Sequence, residues 1–256
     1  MIIANKYKII KPIGEGSFGK IYSAENIRTQ EMVAIKSEPL ISELKMLKHE
    51  TKVYHYFGNK IGFPQVKWFG IEGDRYFMAI TLLDESLTDL KKTITFSLPT
   101  VFSIGKKMLE RVETIHINGI IHRDIKPENF LMKDTELYLI DFGLCKKWKT
   151  NIGKHIEEKN GKTPLGTPNF ISINVHNGIE PSRRDDIESI GYIILFLLLK
   201  NDLPWTKCFN NQNIIEKKRE IINSNLPSFL KDFLVYCRNL RFSEDPDYNY
   251  LKRLLS

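Results

Sequence analysis

The chain has 256 residues and is 42% hydrophobic, which is enough for one self-contained domain with a buried core. It shows neither a basic, apolar leader nor a stretch long enough to span a bilayer, and its three cysteines are scattered, so we expect a soluble intracellular protein, cytoplasmic or nuclear, with reduced thiols. The formal net charge of +7 predicts an anionic partner, but the sign alone does not choose among nucleic acid, an acidic membrane surface and an acidic or phosphorylated polypeptide.

A glycine-rich segment follows the first predicted strand, which covers residues 9–13. Its glycines, Gly14, Gly16 and Gly19, have a spacing found in dinucleotide-binding turns as well as in phosphate-binding hairpins. Glu38 lies at the distance downstream that a dinucleotide site requires, so this alternative competes. Residues 20–25 alternate like a strand and do not open a helix, which favours a hairpin whose backbone N–H groups face phosphate oxygens.

A single lysine, Lys36, lies in the third predicted strand, and taken alone it is typical of a surface lysine on an edge strand. The next segment has the spacing of a helix. Its apolar stripe consists of Ile41, Leu44, Leu47, Tyr54 and Phe57. Glu50 falls on this stripe, and leaving one member of a buried ion pair unpaired costs roughly 3–5 kcal/mol. The pattern therefore predicts an ion pair between Lys36 and Glu50, which would hold the lysine within reach of the inner phosphates of a nucleotide.

Two further strands, near residues 66–69 and 75–80, complete a predicted five-stranded antiparallel lobe with one helix. Beyond Thr81 the pattern becomes helical, so we place the N-terminal lobe at about residues 1–83 and the C-terminal lobe at about 84–256, within a single domain. Helices are predicted to begin after Ser86 and Ser97, and the second of them is predicted to end at Asn118 and Gly119.

Residues 122–129 read H-R-D-I-K-P-E-N and bring a carboxylate, an ammonium and a carboxamide into one loop. In such a loop Asp124 can accept the proton of a substrate hydroxyl, Lys126 can neutralise a transferring phosphoryl group, and Asn129 can hold a metal ion. A second acidic centre, Asp141, leaves an apolar strand in the run Asp-Phe-Gly, which taken alone is most often a turn. The oxygens of Asn129 and Asp141 are hard ligands that suit Mg²⁺.

A helix with apolar residues on almost every face is predicted from about Asp185 to Leu199. It is too short for a membrane span and begins with acidic residues, which favours a buried helix in the second lobe. Two closing helices are predicted over residues 228–240 and 247–255.

These motifs occur in the order of the eukaryotic protein-kinase family, which the chain resembles over nearly its whole length. The resemblance implies an α+β, bilobal kinase fold, with ATP and Mg²⁺ as cofactors. It implies Lys36 on the α/β-phosphates, Glu50 as its ion-pair partner, Asp124 as catalytic base, and Asn129 with Asp141 on Mg²⁺. The nucleotide contacts that it implies, besides Lys36, are Ile13, Gly14, Gly16, Ser17, Gly19, Ile21, Ala34, Ile80, Thr81, Leu83 and Leu131.

Lys126 and residues 166–168 resemble the serine/threonine branch of that family. Residues 172–191, with Leu203-Pro204-Trp205, resemble the casein kinase 1 family, whose substrates carry acidic or phosphorylated residues upstream of the acceptor. The resemblance implies a substrate-anion site. Its cations are Arg183, Arg123, Lys146 and Lys162. Asp186 matches the family position that ties the apolar helix to the catalytic loop, whereas Pro168-Asn169-Phe170 departs from the family's usual sequence and leaves acceptor preference open.

Two alternatives to an active kinase remain at this point. A pseudokinase would keep the fold without the chemistry, but such proteins usually lose residues like Lys36, Asp124 or Asp141, which are all present. The net charge could instead serve nucleic acid or a membrane surface, although no nucleic-acid module accompanies the basic residues. We therefore expect ATP and acidic or phosphorylated proteins as partners of a monomer, without nucleic acid or integral membrane association.

Overall fold

The computed structural model describes residues 1–16, 19–41 and 45–256. Its contacts divide the chain into two compact units, Met1–Glu85 with Leu131–Gly143, and Ser86–Phe130 with Leu144–Ser256. An antiparallel sheet with one main helix in the first unit, and a larger, mostly helical second unit, confirm the predicted α+β class. The sequence placed the boundary near residue 83 and did not predict the return of Leu131–Gly143 to the first unit.

The first unit contains a six-stranded antiparallel sheet with the strand order β1-β2-β3-β4-β6-β5. The strands are β1 (Ile2–Ile3), β2 (Tyr7–Gly16), β3 (Gly19–Asn26), β4 (Met32–Pro39), β5 (Val66–Glu72) and β6 (Arg75–Thr81). The predicted count of five is wrong because β1 has only two residues and shows no alternation in sequence. Ile3 and Tyr7 bury their side chains in one apolar cluster with Ile35 and Phe77, and this packing holds β1 on the sheet.

The main helix of the first unit, α1 (Met46–Phe57), begins later than the predicted apolar stripe. Ile41 is 99% exposed, so its assignment to the buried face is wrong, and Leu44 lies outside the described residues. Lys45 just before the helix has φ 36°, a left-handed conformation that interrupts the helical spacing assumed from sequence. The remaining stripe residues are buried.

The N-terminus of α1 is capped by a side chain from the sheet. The two carboxylate oxygens of Glu38 accept hydrogen bonds from the backbone N–H groups of Met46 and Leu47, each at 3.0 Å. A carboxylate at this end satisfies N–H groups that have no partner within the helix and interacts favourably with the helix dipole. Glu38 therefore sets where α1 starts.

The strands β8 (Phe130–Lys133) and β9 (Glu136–Leu139) form a two-stranded sheet. They are joined by a turn in which Asp134 has φ 54°. Leu139 N–H donates to the Gly62 carbonyl at 2.9 Å, and Asp84 N–H donates to the Met132 carbonyl at 2.8 Å. These backbone bonds attach the hairpin to the sheet unit and bring Asp141, two residues beyond the end of β9, into that unit.

The second unit consists mainly of helices. They are α2 (Leu87–Thr93), α3 (Leu98–Ile117), α4 (Ile173–His176), α5 (Arg183–Leu198), α6 (Asn211–Glu220), α7 (Ser228–Asn239) and α8 (Tyr248–Leu254). Ser86 and Ser97 cap α2 and α3 by accepting bonds from the backbone N–H groups of Asp89 and Thr100, as predicted. The strands β7 (Ile120–Ile121) and β10 (Lys146–Lys147) pair antiparallel.

The helix α5 is buried along almost all of its length, which confirms the interpretation of its apolar sequence. Among the residues that the structure describes, no helix combines the length and apolar character that crossing a bilayer requires. The helix α6 was not predicted, because its sequence, N-Q-N-I-I-E-K-K-R-E, is largely polar and carries a short apolar signal.

Candidate active site

In the first unit, the predicted ion pair between Lys36 and Glu50 is confirmed. Lys36 lies in β4 between β3 and β6, and its Nζ is 2.6 Å from Oε2 of Glu50 in α1. The same Nζ is 3.2 Å from Oδ1 of Asp141. Glu50 is only 2% exposed, whereas Asp141 is 30% exposed. Lys36 thus contacts two carboxylates, the buried one of Glu50 and the partly exposed one of Asp141.

The charge on this lysine is maintained by its neighbours. Burial opposes the charged form, but the carboxylates of Glu50 and Asp141 outweigh it and raise the pKa of Lys36 above its usual value. An ammonium group held charged in this way can neutralise phosphate oxygens.

Asp141 adopts an uncommon backbone conformation that side chains of α1 support. Its φ is 64°, in the left-handed region, and its N–H donates to the Tyr54 hydroxyl at 3.0 Å. The next residue, Phe142, is buried against Tyr54, Phe57 and Phe63, with ring centroids 5.3, 5.4 and 6.1 Å away. This aromatic cluster orients the Asp141 carboxylate, and the contact of Tyr54 with Asp141 was not predicted from the sequence.

The predicted nucleotide contacts lie along the sheet and the segment after it. Gly14 and Gly16 are at the end of β2, Gly19 and Ile21 are in β3, and Gly16 pairs with Gly19. Ile13 is exposed in β2, and Ser17 lies outside the described residues. A Cβ at Gly19 would come 1.7 Å from the Ser37 carbonyl oxygen, so this position requires glycine.

The remaining predicted contacts lie in β4, in β6 and the segment after it, and in β8 of the two-stranded sheet. Ala34 of β4 pairs with Ile80 of β6, Thr81 ends β6, Leu83 follows, and Leu131 lies in β8. The dinucleotide alternative is wrong on two counts. The glycines lead into a strand, and the acidic residue that it required, Glu38, is buried and bound to the start of α1.

In the second unit, the loop after β7 is held by Asp186 of α5. The Asp186 carboxylate accepts the backbone N–H groups of His122 at 2.7 Å and Arg123 at 2.9 Å, which confirms the predicted tie. His116 Nε2 is 2.9 Å from the same carboxylate. Arg123 has φ 69°, and these bonds compensate for its strained backbone.

The carboxylate of Asp124 is held by three donors. Its Oδ1 accepts the backbone N–H of Thr167 at 2.9 Å and the Thr167 hydroxyl at 2.8 Å. Its Oδ2 is 2.7 Å from Nζ of Lys126. An ionised carboxylate has about four acceptor positions, so one remains for a hydroxyl group. The Asp124 side chain is therefore held in one orientation and can accept one more hydrogen bond.

The approach of Thr167 to Asp124 depends on the preceding glycine. Gly166 has φ 103°, and a Cβ there would lie 2.6 Å from the Arg123 carbonyl oxygen. Only glycine permits this conformation and this distance. From the sequence, residues 166–168 indicated only the serine/threonine branch, and the contact of Thr167 with Asp124 was not predicted.

Asn129 is buried in the short helix Pro127–Asn129, and its Nδ2 donates to the Asp124 carbonyl at 2.9 Å. This hydrogen bond orients the carboxamide, whose oxygen is the atom able to bind a cation. Asn129 in the second unit and Asp141 in the first each offer, taken separately, an oxygen of the kind that Mg²⁺ binds, and Mg²⁺ needs few protein ligands when phosphates supply others.

A family model matches most of the chain. The model of the protein kinase domain matches residues 7–246. The chain belongs to the protein kinase family. The kinase domain is therefore a phosphotransferase domain, and protein kinases use ATP with Mg²⁺ to modify protein substrates.

Three of the four cations predicted to bind a substrate anion lie in one region of the kinase domain. Glu180, 5% exposed, is 2.7 Å from Nζ of Lys146 and 3.7 Å from Nζ of Lys162. These lysines hold the pKa of Glu180 below its usual value against the opposing effect of burial. Arg123, which also favours the charged form of Glu180, donates from Nε to the Leu144 carbonyl at 2.6 Å.

The structure does not group Arg183 with these three cations, and its part in an anion site stays a prediction. Its guanidinium is 6% exposed and forms an ion pair with Asp245, and it donates to the Ser243 carbonyl at 3.0 Å. It also stacks on the ring of Trp148, 3.7 Å from the centroid. These contacts hold two nitrogens of the guanidinium, whereas Nε has no hydrogen-bond partner among the described residues. Because the side chain is buried and paired, we expect Arg183→Ala to reduce stability.

Proposed function

We propose that the chain is an active serine/threonine kinase of the casein kinase 1 type, which transfers the γ-phosphoryl group of ATP to serine or threonine hydroxyls of acidic or phosphorylated proteins. The observation that carries the proposal is the environment of Asp124, a carboxylate immobilised by Thr167 and Lys126 with one acceptor position left. A hydroxyl bound at that position would be held for attack on phosphorus.

In the proposed reaction, the acceptor oxygen forms a bond to the γ-phosphorus while the bond between that phosphorus and the β–γ bridging oxygen breaks, and ADP leaves. Asp124 accepts the hydroxyl proton. Lys126 and Lys36 counter negative charge on the phosphate groups, with Lys36 held in its charged state by Glu50. Mg²⁺, when bound through the oxygens of Asp141 and Asn129, would neutralise further phosphate charge.

Two observations favour serine and threonine over tyrosine as acceptors. Lys126 is 2.7 Å from Asp124, and Thr167 approaches the same carboxylate from the other side. These are the residues whose sequence positions resemble the serine/threonine branch, and together they crowd the carboxylate. A short aliphatic hydroxyl fits this geometry better than a phenol on a long, rigid side chain.

The test is phosphate transfer from MgATP to three peptides that differ only in a serine, threonine or tyrosine acceptor, each with acidic flanking residues. We expect transfer to serine and threonine. If the folded protein binds ATP and transfers nothing to any peptide or to casein, the pseudokinase alternative is correct. Transfer to tyrosine alone would overturn the acceptor assignment.

The proposed preference for acidic or phosphorylated substrates rests on the cluster around Glu180. Lys146 and Lys162 are 39% and 47% exposed at their side chains, so they are accessible to a second anion. With Arg123 they place three cations around one carboxylate, which leaves a net positive charge. Such a cluster attracts a phosphoserine or an acidic peptide.

Lys162→Ala is therefore expected to raise the KM for a pre-phosphorylated peptide by roughly 2- to 5-fold, the equivalent of about 0.5–1 kcal/mol for a partly exposed pair, with little change for an unphosphorylated peptide. Lys154→Ala is the matched control, because Lys154 is exposed and the substitution removes the same charge. Equal changes of KM for both peptides would contradict the substrate role. Salt-sensitive DNA binding with no dependence on peptide acidity would favour a nucleic-acid role for the charge.

A further inference from the structure

A lysine that the proposed reaction does not use, Lys218 of α6, is completely buried in the second unit. Its Nζ lies 2.8 Å from the Pro168 carbonyl oxygen, 2.7 Å from the Ile171 carbonyl oxygen and 3.0 Å from His176 Nε2. It also lies over the rings of Tyr192 and Trp205, at 4.7 and 5.4 Å from their centroids. A buried lysine is unusual, and this one has a specific partner for each of its N–H bonds.

The hydrogen bonds around His176 determine its tautomer. Its Nδ1 contacts Oδ1 of Asn211, while the Asn211 amide donates to the His176 carbonyl at 3.0 Å. With the proton on Nδ1, Nε2 accepts from Lys218, whose ammonium group also donates to the Pro168 carbonyl oxygen 3.1 Å from Nε2. Burial, with the nearby charge of Lys218, lowers the pKa of His176 to about 4, so the imidazole is neutral near pH 7.

The ammonium form of Lys218 is the one that matches these three acceptors. Burial lowers the pKa of Lys218 to about 7, against the attraction of the Glu188 carboxylate. Removing the side chain would leave the carbonyl oxygens of Pro168 and Ile171 without this donor inside the protein, which is costly.

Those carbonyls belong to a tight turn at residues 167–171. Phe170 N–H and Ile171 N–H both donate to the Thr167 carbonyl, at 2.8 and 3.1 Å, and the Trp205 indole N–H donates to the Asn169 carbonyl at 2.8 Å. Lys218 of α6 and Trp205 thus hold the turn in place by hydrogen bonds to its backbone carbonyls. At its other end, Thr167 donates twice to the Asp124 carboxylate.

We infer that Lys218 is a positioning residue for phosphoryl transfer, which holds the turn at residues 167–171 so that Thr167 keeps its two bonds to Asp124. This inference rests on the proposed role of Asp124 as base. Lys218 acts through Thr167 and does not itself touch a substrate. Its function is to keep the acceptor position of the carboxylate in one orientation.

The first measurement compares Lys218→Met with Lys217→Met. Both replace a lysine of α6 by a side chain of similar length, but Lys217 is exposed and contacts the Pro204 carbonyl. Losing a charge-assisted hydrogen bond corresponds to a factor of roughly 10–100, so we expect kcat for peptide phosphorylation to fall by about that factor in Lys218→Met, with KM for ATP unchanged. Lys217→Met should retain the wild-type kcat.

A purely structural role is separated by a double-mutant cycle with Thr167→Ala, analysed on kcat. If Lys218 acts through Thr167, the double variant loses little more than the more impaired single variant, whereas independent effects multiply. The cycle is repeated with Lys218→Gln, which keeps N–H donors. This second variant serves as the test if Lys218→Met does not fold.

Unchanged kcat in folded Lys218 variants, or multiplying losses in the cycle, would overturn the inference. Absence of transfer by the wild-type protein would instead contradict the proposed kinase activity, so the two failures are distinguishable.

Discussion

Replacing Asp124 with asparagine is expected to lower kcat by a factor of about 10²–10⁴, the range for removal of a general base, while ATP affinity changes little. The amide has nearly the shape of the carboxylate and keeps an oxygen for the two Thr167 donors, but it cannot accept the hydroxyl proton. Steady-state phosphate transfer gives kcat, and titration with MgATP gives the dissociation constant.

The control for this prediction is Asp134→Asn. Asp134 is exposed in the turn between β8 and β9 and has φ 54°, a conformation that asparagine adopts as readily as aspartate. The control undergoes the same chemical change and should keep its turnover. Weak ATP binding by the Asp124 variant would assign that residue another role, and an unchanged kcat would remove it from the reaction.

Replacing Lys36 with methionine is expected to lower the free energy of unfolding by about 3–5 kcal/mol, because the Glu50 carboxylate is then buried without its partner. Transfer should also be lost, since the cation proposed to contact phosphate is gone. Urea denaturation measures the stability, and ATP titration below the unfolding midpoint measures binding.

The matched control is Lys67→Met in the same unit. Lys67 is 2.8 Å from Glu31, but the two side chains are 30% and 45% exposed, so the expected loss is about 0–1 kcal/mol. The double variant Lys36→Met with Glu50→Gln should recover part of the stability, because no buried charge remains unpaired. If both single variants lost similar amounts of unfolding free energy, or if the double variant recovered none, burial would not explain the contribution of the Lys36–Glu50 pair to stability.

Several features could be predicted because their causes are local in sequence. Ser86 and Ser97 precede helices that they cap, and the alternation over β5 and β6 locates both strands. The pairing of Lys36 with Glu50 was predictable for a different reason, since a carboxylate on an apolar stripe requires a cation. Local patterns failed where other parts of the chain interfere, as at Ile41, where Glu38 and the left-handed Lys45 delay the start of α1.

By itself, the sequence determined the chemical groups of the candidate site and their order along the chain, because short motifs fix which side chains share a loop or a strand. Only the tertiary structure decided their partners. Thr167 contacts Asp124 across 43 residues of sequence, Lys218 contacts Pro168 across 50, and Arg183 pairs with Asp245 across 62. A cationic side chain looks the same in sequence whether it is solvated, paired or buried, and only packing determines which carboxylate or carbonyl lies within reach.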